Sequence, residues 1–166
     1  EQYESREHLR DMNVLFSPVQ SVRSIFDLMS QDSAEAWENI ASRMEKIGES
    51  LDGYRRALDV GRSEGLVTSI RQVSGTAEQC EVWSGNGDND PFFDSMIAAF
   101  SASDISDDAL ARRIENAAHL ATDAYATMGE YLRNEYLPDA TTVDGVGRDR
   151  YALSAKGYLG AEIDPE

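Results

Sequence analysis

The apolar residues between positions 33 and 61 recur at alternating spacings of three and four. They are Trp37, Ile40, Met44, Ile47, Leu51, Tyr54 and Leu58. This spacing places them on one face of a helix and predicts a long amphipathic α-helix over 33–61. Ser33 or Asp32 is expected to cap its first turn, and Gly61 and Gly65 bracket its end.

A second stretch, from 106 to 136, repeats the same spacing. Its apolar positions are Leu110, Ile114, Ala117, Ala121, Tyr125, Met128 and Leu132. Asp107 and Asp108 fall in the first turn, where the helix dipole favours negative charge, and Pro138 is expected to end the helix. The pattern predicts a second long amphipathic helix over 106–136.

Small residues indicate where these helices meet other parts of the chain. Alanines on the second stripe allow close contact between helices. Gly48 and Gly53 cost about 1 kcal/mol each relative to alanine inside a helix, and we interpret them in the same way. No alternating strand pattern occurs. We therefore predict an all-α fold, an irregular multi-helix bundle built on two long antiparallel amphipathic helices.

A third helix is predicted over 66–84. Its inner face would hold Val67, Ile70, Val73 or Ser74, Ala77, Cys80 and Trp83. Shorter helical stretches are predicted at 4–13, 18–29, 91–100 and 148–158. The sequence GNGDND at 85–90 and the segment 139–147 carry turn signals and are predicted to be loops.

Acidic residues outnumber basic residues by 31 to 15, which gives a formal net charge of −16. Such a field repels phosphate backbones and anionic lipid headgroups, so we expect neither nucleic acid nor a membrane as a partner. The 166 residues are expected to form a single helical domain, 1–166, and no apolar run is long enough to span a bilayer. Because Cys80 is the only cysteine, no internal disulfide is possible. These features favour a cytoplasmic location, and a signal removed upstream of residue 1 is also compatible with them.

The sequence offers no recognisable catalytic or metal site. Its two histidines, His8 and His119, lie far apart, and Glu115 with His119 is interpreted as ordinary helix support at one-turn spacing. The oxygen donors of 86–90 do not continue into a calcium loop, because the required glycine and glutamate are missing in either register. The segment GVGRDR lacks the third glycine of a phosphate-binding loop. We therefore predict no catalytic residue, metal ligand or cofactor within these 166 residues.

Two short clusters are candidates for binding a ligand without performing chemistry on it. Arg71 and Gln72 lie beside the predicted buried face of the third helix, and Arg150 and Tyr151 follow a glycine-containing loop. Because a guanidinium presents a planar fork to a carboxylate, these arginines suit the terminus of a peptide. The alternative is that they pair with surplus acids of the same domain. Cys80 is interpreted as a buried small apolar residue.

Several stretches, taken in order, resemble one bacterial family. The segment IFDLMSQDSAEAWENIASRMEKIGESLDGYRRALDVGRSEGLVTSIRQV is followed by EQCEVW, FFDSM and LRNEYLPDATTVDGVGRDRYALSAKGYLGAEID. This succession resembles the family named domain of unknown function 885 over nearly the whole chain. The variant GVGRDRY resembles the actinobacterial members.

The resemblance implies a longer, mostly helical protein that is a candidate zinc-dependent peptidase, with its zinc-binding segment beyond Glu166. The present chain would be its N-terminal, non-catalytic part and would form one wall of a substrate cleft. Its partners would be the remainder of the parent chain and a peptide substrate. Asp164-Pro165-Glu166 has the pattern of a helix start, which fits a chain that stops partway through its parent.

The alternative is an acidic helical interaction module without enzymatic activity. This hypothesis predicts that the apolar stripes of the long helices stay partly exposed until a partner helix arrives. The same exposed surface would allow the chain to form a dimer.

Overall fold

The computed structural model describes residues 6–145 and 147–159, with side chains except those of residues 149, 150, 153 and 157. Its α-helices are α1 (Pro18–Ser24), α2 (Ala34–Met44), α3 (Ile47–Ser63), α4 (Ile70–Trp83), α5 (Asp94–Ser101), α6 (Asp108–Tyr131) and α7 (Arg148–Leu159). Turns of 3-10 helix occupy Glu7–Leu9, Ile25–Asp27 and Leu137–Asp139. Within the described residues, β-type pairing is limited to one isolated bridge between Ser69 and Thr141. The prediction of an all-α, multi-helix fold is confirmed.

Helix α6 lies at the centre of the fold, and α2, α3, α4 and α5 all pack against it. Every position of its predicted apolar stripe is buried, from Leu110 to Leu132. The Asp107 side chain caps the helix by accepting hydrogen bonds from the N–H groups of Ala109 and Leu110, both at 2.9 Å. The second long helix of the sequence analysis is therefore confirmed as the core element.

The last turns of the predicted helix 106–136 differ from a regular α-helix. Residues Leu132–Tyr136 form a turn of π-helix, and the 3-10 turn containing Pro138 follows directly. Proline has no N–H to donate, and its ring crowds the carbonyl four residues earlier in a regular helix. The wider π turn relieves that crowding and buries Leu132 and Tyr136.

The prediction of one continuous helix over 33–61 is wrong in one respect, because the helix is broken at Glu45 and Lys46. There the Lys46 N–H bonds to the carbonyl of Arg43 at 3.1 Å, which tightens the chain. Arg113 of α6 holds the Glu45 carboxylate at this break by hydrogen bonds of 2.7 and 2.9 Å. The break lets α2 and α3 both face α6, and all seven stripe residues are buried. Ser33 is the N-cap residue, as predicted.

The third predicted helix is shorter than expected at its start. Residues 66–69 are not helical, because the backbone of Thr68 and Ile70 bonds to Thr141 instead. Val73, Ala77 and Cys80 are buried as predicted, whereas Ile70 is 41 % exposed. The assignment of Ile70 to the inner face is therefore wrong, since it lies where the helix leaves the core.

The remaining short elements agree with the sequence to different extents. Residues 4 and 5 of the predicted stretch 4–13 lie outside the described residues. Of 6–13, Glu7–Leu9 is the helical part, because carbonyl groups of 9–12 make tertiary contacts instead. The stretch 18–29 forms α1 and a 3-10 turn, and α5 begins three residues after Pro91. The final helix, α7, and the loop at 85–90 are found as predicted. No helix of the described residues has the length and apolar character needed to cross a bilayer.

Helix α3 ends in a glycine-dependent cap. Gly65 has a φ of +71° and follows the last helical turn. The Gly65 N–H bonds to the carbonyl of Arg62 at 3.0 Å, and the Leu66 N–H bonds to that of Gly61 at 2.8 Å. This pair of bonds is a Schellman motif, so Gly65 closes the helix as the sequence predicted.

The glycines inside α3 differ in how closely other chain segments approach them. A Cβ added at Gly61 would lie 2.1 Å from the carbonyl oxygen of Leu9, whereas one at Gly48 would lie 3.9 Å from the Cβ of Ala124 in α6. At Gly53 the only neighbour within that range is Arg56 of the same helix, at 3.7 Å. Another chain segment therefore approaches Gly61 closely and lies at van der Waals distance from Gly48. The prediction of a close approach at Gly53 is wrong.

Alanine substitutions at two of these glycines should change stability in opposite directions. We expect Gly61→Ala to lower the free energy of unfolding by about 1–3 kcal/mol, because the methyl group must displace the backbone of Leu9. Gly53→Ala should raise it by up to about 1 kcal/mol, because alanine is the better helix former. Urea unfolding of both variants beside the wild type measures this, and a shift of the same sign in both would contradict the packing described.

Candidate functional site

A polar cleft of about 240 Å³ opens at the N-terminus of α4. Three segments line it: the first 3-10 turn and the chain after it, with Glu7 and 10–13; the residues before and in the first turn of α4, with 67–69 and Gln72; and the loop at 141–145. Most of the lining residues are polar or charged. The cleft is the candidate site because the sequence-predicted residue Gln72 lies in its wall and Arg71 is its neighbour.

Hydroxyl groups fix the first two segments to each other. The Tyr54 hydroxyl of α3 donates to the carbonyl of Asp11 at 2.6 Å. The Thr68 hydroxyl donates to the carbonyl of Met12 at 3.3 Å, and the Tyr136 hydroxyl accepts from the Thr68 N–H at 3.1 Å. Two of these bonds attach the lining segments to buried tyrosines of the core, and the third joins the two segments to each other.

The third segment is attached through the backbone of Thr141. Its N–H donates to the carbonyl of Thr68 at 3.1 Å, and its carbonyl accepts from the N–H of Ile70 at 2.9 Å. Just before it, Asp139 accepts hydrogen bonds from Arg62 of α3 at 3.0 and 2.7 Å. The chain is therefore bonded to the core up to Thr141 and becomes an exposed loop after it.

Gln72 is engaged with the chain's own backbone. Its Oε1 accepts from the N–H of Val14 at 2.9 Å, and two turns later the Nε2 of Gln79 donates to the carbonyl of Val14 at 2.9 Å. Gly75 lies between them, and a Cβ added there would come within 2.5 Å of the Val14 side chain. One face of α4 thus holds Val14, a residue of the bend at 14–17, by both of its backbone polar groups.

Arg71 lies at the outer rim of the cleft and pairs with an acid of the loop. Its side chain is 69 % exposed, and its Nε lies 3.0 Å from Oδ2 of Asp144. The Ser69 hydroxyl and then the Arg71 guanidinium hold the pKa of the Asp144 carboxyl below its usual range. For Arg71, the structure therefore contains the internal pairing that the sequence left as the alternative.

The opposite rim carries acidic groups. Burial, and secondarily the charge of Glu7, raises the pKa of the Asp11 carboxyl. Glu7 itself lies 3.5 Å from the Nε of Arg10. The cleft therefore presents carboxylates, a guanidinium and backbone groups together, which suits a polar ligand with both donors and acceptors.

The second predicted cluster, Arg150 and Tyr151, lies on α7. The side chain of Arg150 is outside the described residues, and that of Tyr151 is 50 % exposed. The Ser154 hydroxyl of α7 lies 3.4 Å from the Glu7 carboxylate. Helix α7 therefore touches a residue of the cleft rim, although Tyr151 is not among the lining residues.

Sequence reasoning missed Ser69, Asp144 and the backbone of Thr141. The sequence places Asp144 in a predicted loop and Ser69 inside a predicted helix, more than seventy residues earlier. Nothing in the local pattern indicates that the two segments pair. The only local signal was the β-branched run at 67–68, which disfavours a helix slightly.

Other candidate groups lie outside the cleft. Cys80 is fully buried, and burial, followed by the charge of Glu81, raises its thiol pKa to about 12. Glu115 and His119 both lie on the exposed side of α6. Across 6–145 and 147–159, no group of three or more His, Cys, Asp or Glu residues is arranged to hold a metal ion.

Comparison with models of known protein families shows what the chain is similar to. The model of a family described as "Bacterial protein of unknown function (DUF885)" matches residues 1–166. No curated protein matches the chain.

The two carboxyl groups of the cleft should titrate on opposite sides of the ordinary aspartate range. We expect the Asp11 midpoint above it and the Asp144 midpoint below it in a carboxyl carbon NMR titration from about pH 2 to 7. Ser69→Ala and Arg71→Gln should each raise the Asp144 midpoint, whereas Arg112→Gln on exposed α6 should leave it unchanged. If neither Ser69→Ala nor Arg71→Gln changed the titration midpoint of Asp144, the interaction of Asp144 with these two residues would be contradicted.

These shifts fix the sign of each group's effect on stability. Because the folded pKa of Asp144 lies below its unfolded value, its contribution is present above the unfolded pKa and lost as pH falls through the folded one. Asp11 has the reverse sign, since its folded pKa is raised and its ionisation opposes folding. The Asp144 contribution is small because the pair is exposed.

Cys80 should be inert in the folded protein. Because its thiol is buried and its pKa is raised, we expect negligible reaction with Ellman's reagent at neutral pH and one equivalent after unfolding in urea. Rapid labelling of the native protein would show that α4 and α6 do not pack as described.

Proposed function

The chain belongs to the DUF885 family of bacterial proteins of unknown function, and we propose that it is a non-catalytic, ligand-binding domain of a peptidase-like protein. Its cleft at the start of α4 forms one wall of a peptide-binding site. In this arrangement the domain binds and orients the substrate. The zinc that the family resemblance implies, and the residues that activate water, would belong to other parts of a longer protein.

The observation that supports the proposal is that side chains of α4 hydrogen-bond to both backbone polar groups of a residue from another segment. Gln72 and Gln79 bond to the N–H and carbonyl of Val14, while Gly75 makes room for its side chain. These are the interactions by which a protein binds an extended peptide regardless of its sequence. The adjoining cleft offers further backbone and polar side-chain groups on the same helix.

The composition of the cleft favours a peptide over other ligands. Nucleic acid and anionic lipid are repelled by the net charge of −16. The lining includes acidic residues and Arg10, and Arg71 lies beside it, paired with the lining residue Asp144. A ligand carrying both an amine and a carboxylate therefore meets both charge types. Arg71 and Gln72 are the substrate-binding residues in this proposal, with Arg150 and Tyr151 on the neighbouring helix.

A direct test is to titrate the 15N-labelled 166-residue protein with the tripeptide Ala-Ala-Ala. We expect saturable shifts of the amide signals of Thr68, Gln72 and Thr141, with a dissociation constant on the order of 1 mM for so small a ligand. Signals of the exposed face of α6, such as that of Leu120, serve as the control and should not move. Shifts that are absent, or spread evenly over the surface, would overturn the proposal.

A second candidate function, the interaction module, rests on a different surface. Leu15 and Phe16 are 85 % and 74 % exposed. Asn13 fixes the turn that presents them, because its Oδ1 accepts from both of their N–H groups, at 2.9 and 2.7 Å. The form of this hypothesis that relied on exposed helix stripes is wrong, since both stripes are buried.

Sedimentation velocity tests whether this second surface mediates self-association. If the Leu15–Phe16 turn mediates self-association, the wild type should dimerise with rising concentration and the variant Leu15→Ser/Phe16→Ser should stay monomeric. A monomer at all concentrations in both proteins would remove the support for dimerisation.

A further inference from the structure

We infer that the N-terminus of α4 is a carboxylate-binding site, occupied in this structure by the side chain of Asp144. The ligand class it would take is a peptide or amino acid with a free carboxyl end. This inference rests on the proposed function and names the group by which the cleft recognises its ligand.

The first turn of α4 has backbone N–H groups that find no acceptor within the helix. Helix α4 has 14 residues, and its N-cap residue, Ser69, makes no side-chain capping bond. The N–H of Ile70 is taken by Thr141. The N–H groups of Arg71 and Gln72, the next two in the first turn, have no acceptor within the helix. Together with the helix dipole they favour an anion at this point.

The hydroxyl group of Ser69 is a buried polar group without a partner, which is independent of the helix end. The residue lines the cleft and is only 5 % exposed, and its Oγ has no hydrogen-bond partner. The hydroxyl is near enough to Asp144 to lower the pKa of that carboxyl, but it does not reach hydrogen-bond geometry with it. Burying an unpaired hydroxyl costs free energy that a better-placed acceptor would recover.

Asp144 has the features of a replaceable occupant. Its side chain is 51 % exposed and bonds to Arg71 through one contact of 3.0 Å. It lies beyond Thr141, the last point at which the loop is bonded to the core, and Gly145 follows it. A ligand carboxylate that displaces Asp144 exchanges one negative charge for another at the helix end. The exchange therefore adds no net anion to the site, even in a strongly acidic chain.

The test compares two peptides that differ only in whether the C-terminus is a carboxylate or an amide. The 15N-labelled protein is titrated with acetyl-Ala-Ala-Ala bearing a free carboxylate and with its C-terminal amide. We expect the carboxylate to bind at least several-fold more tightly and to shift the amide signals of Arg71 and Gln72. Asp144→Asn should tighten carboxylate binding several-fold, because it removes the competing anion. Ser69→Ala and Arg71→Gln should each weaken it.

Arg112→Gln is the matched control, since it removes an arginine charge from the exposed surface of α6. Its carboxylate affinity should equal that of the wild type, and circular dichroism checks that every variant is folded. Binding of the carboxylate to Asp144→Asn alone would still support the inference, because Asp144 would then be the occluding group. Equal binding of both peptides, with no effect of Asp144→Asn, would overturn the inference and leave the proposed function standing. Binding of neither peptide to either protein would overturn both.

Discussion

The burial of one face of α6 is the interaction on which the rest of the structure depends. Four other helices pack against this face, and it includes residues with no exposed surface at all, such as Ala121 and Tyr125. Tyr125 contacts the rings of Trp83 and Phe93, and its hydroxyl donates to the carbonyl of Val19 at 2.9 Å. One side chain thus joins α6 to α4, to the start of α5 and to α1. Apolar burial of this extent is the main source of stability in a domain of this size.

The cleft is a consequence of how α6 ends. The π turn at Leu132–Tyr136 buries Tyr136 and brings its hydroxyl to the backbone of Thr68. That bond holds the chain extended before α4, and the extended chain then pairs with Thr141. The start of α4 is therefore fixed from the core side, while its outer side faces the cleft. The start of α4 is rigid, whereas Asp144 of the neighbouring loop is held by one exposed ion pair with Arg71. This arrangement suits a ligand that binds by displacing the Asp144 side chain.

The parts of the fold that follow from local periodicity could be predicted from the sequence. The stripes of α2, α3 and α6 are buried at every predicted position, because an apolar face of a helix has no other stable place. The cleft could not be predicted, since it depends on bonds between residues far apart in sequence, such as Tyr136 with Thr68 and Asp144 with Arg71. The sequence predicts Gln72 as a binding residue from its place beside a buried face. Its bond to Val14 could not be foreseen, because it requires the path of a segment that the sequence assigned to a helix end.

Helix α6 should be the most stable element, whereas the loop carrying Asp144 is bonded to the start of α4 through the backbone of Thr141 and the exposed Arg71–Asp144 pair. Native-state hydrogen exchange tests this most directly. We predict that the amides of 117–125 exchange only through global unfolding, whereas those of Asp144 and Gly145 exchange many-fold faster without it. Exchange of the α6 amides by local opening, at rates similar to those of the loop, would contradict the account.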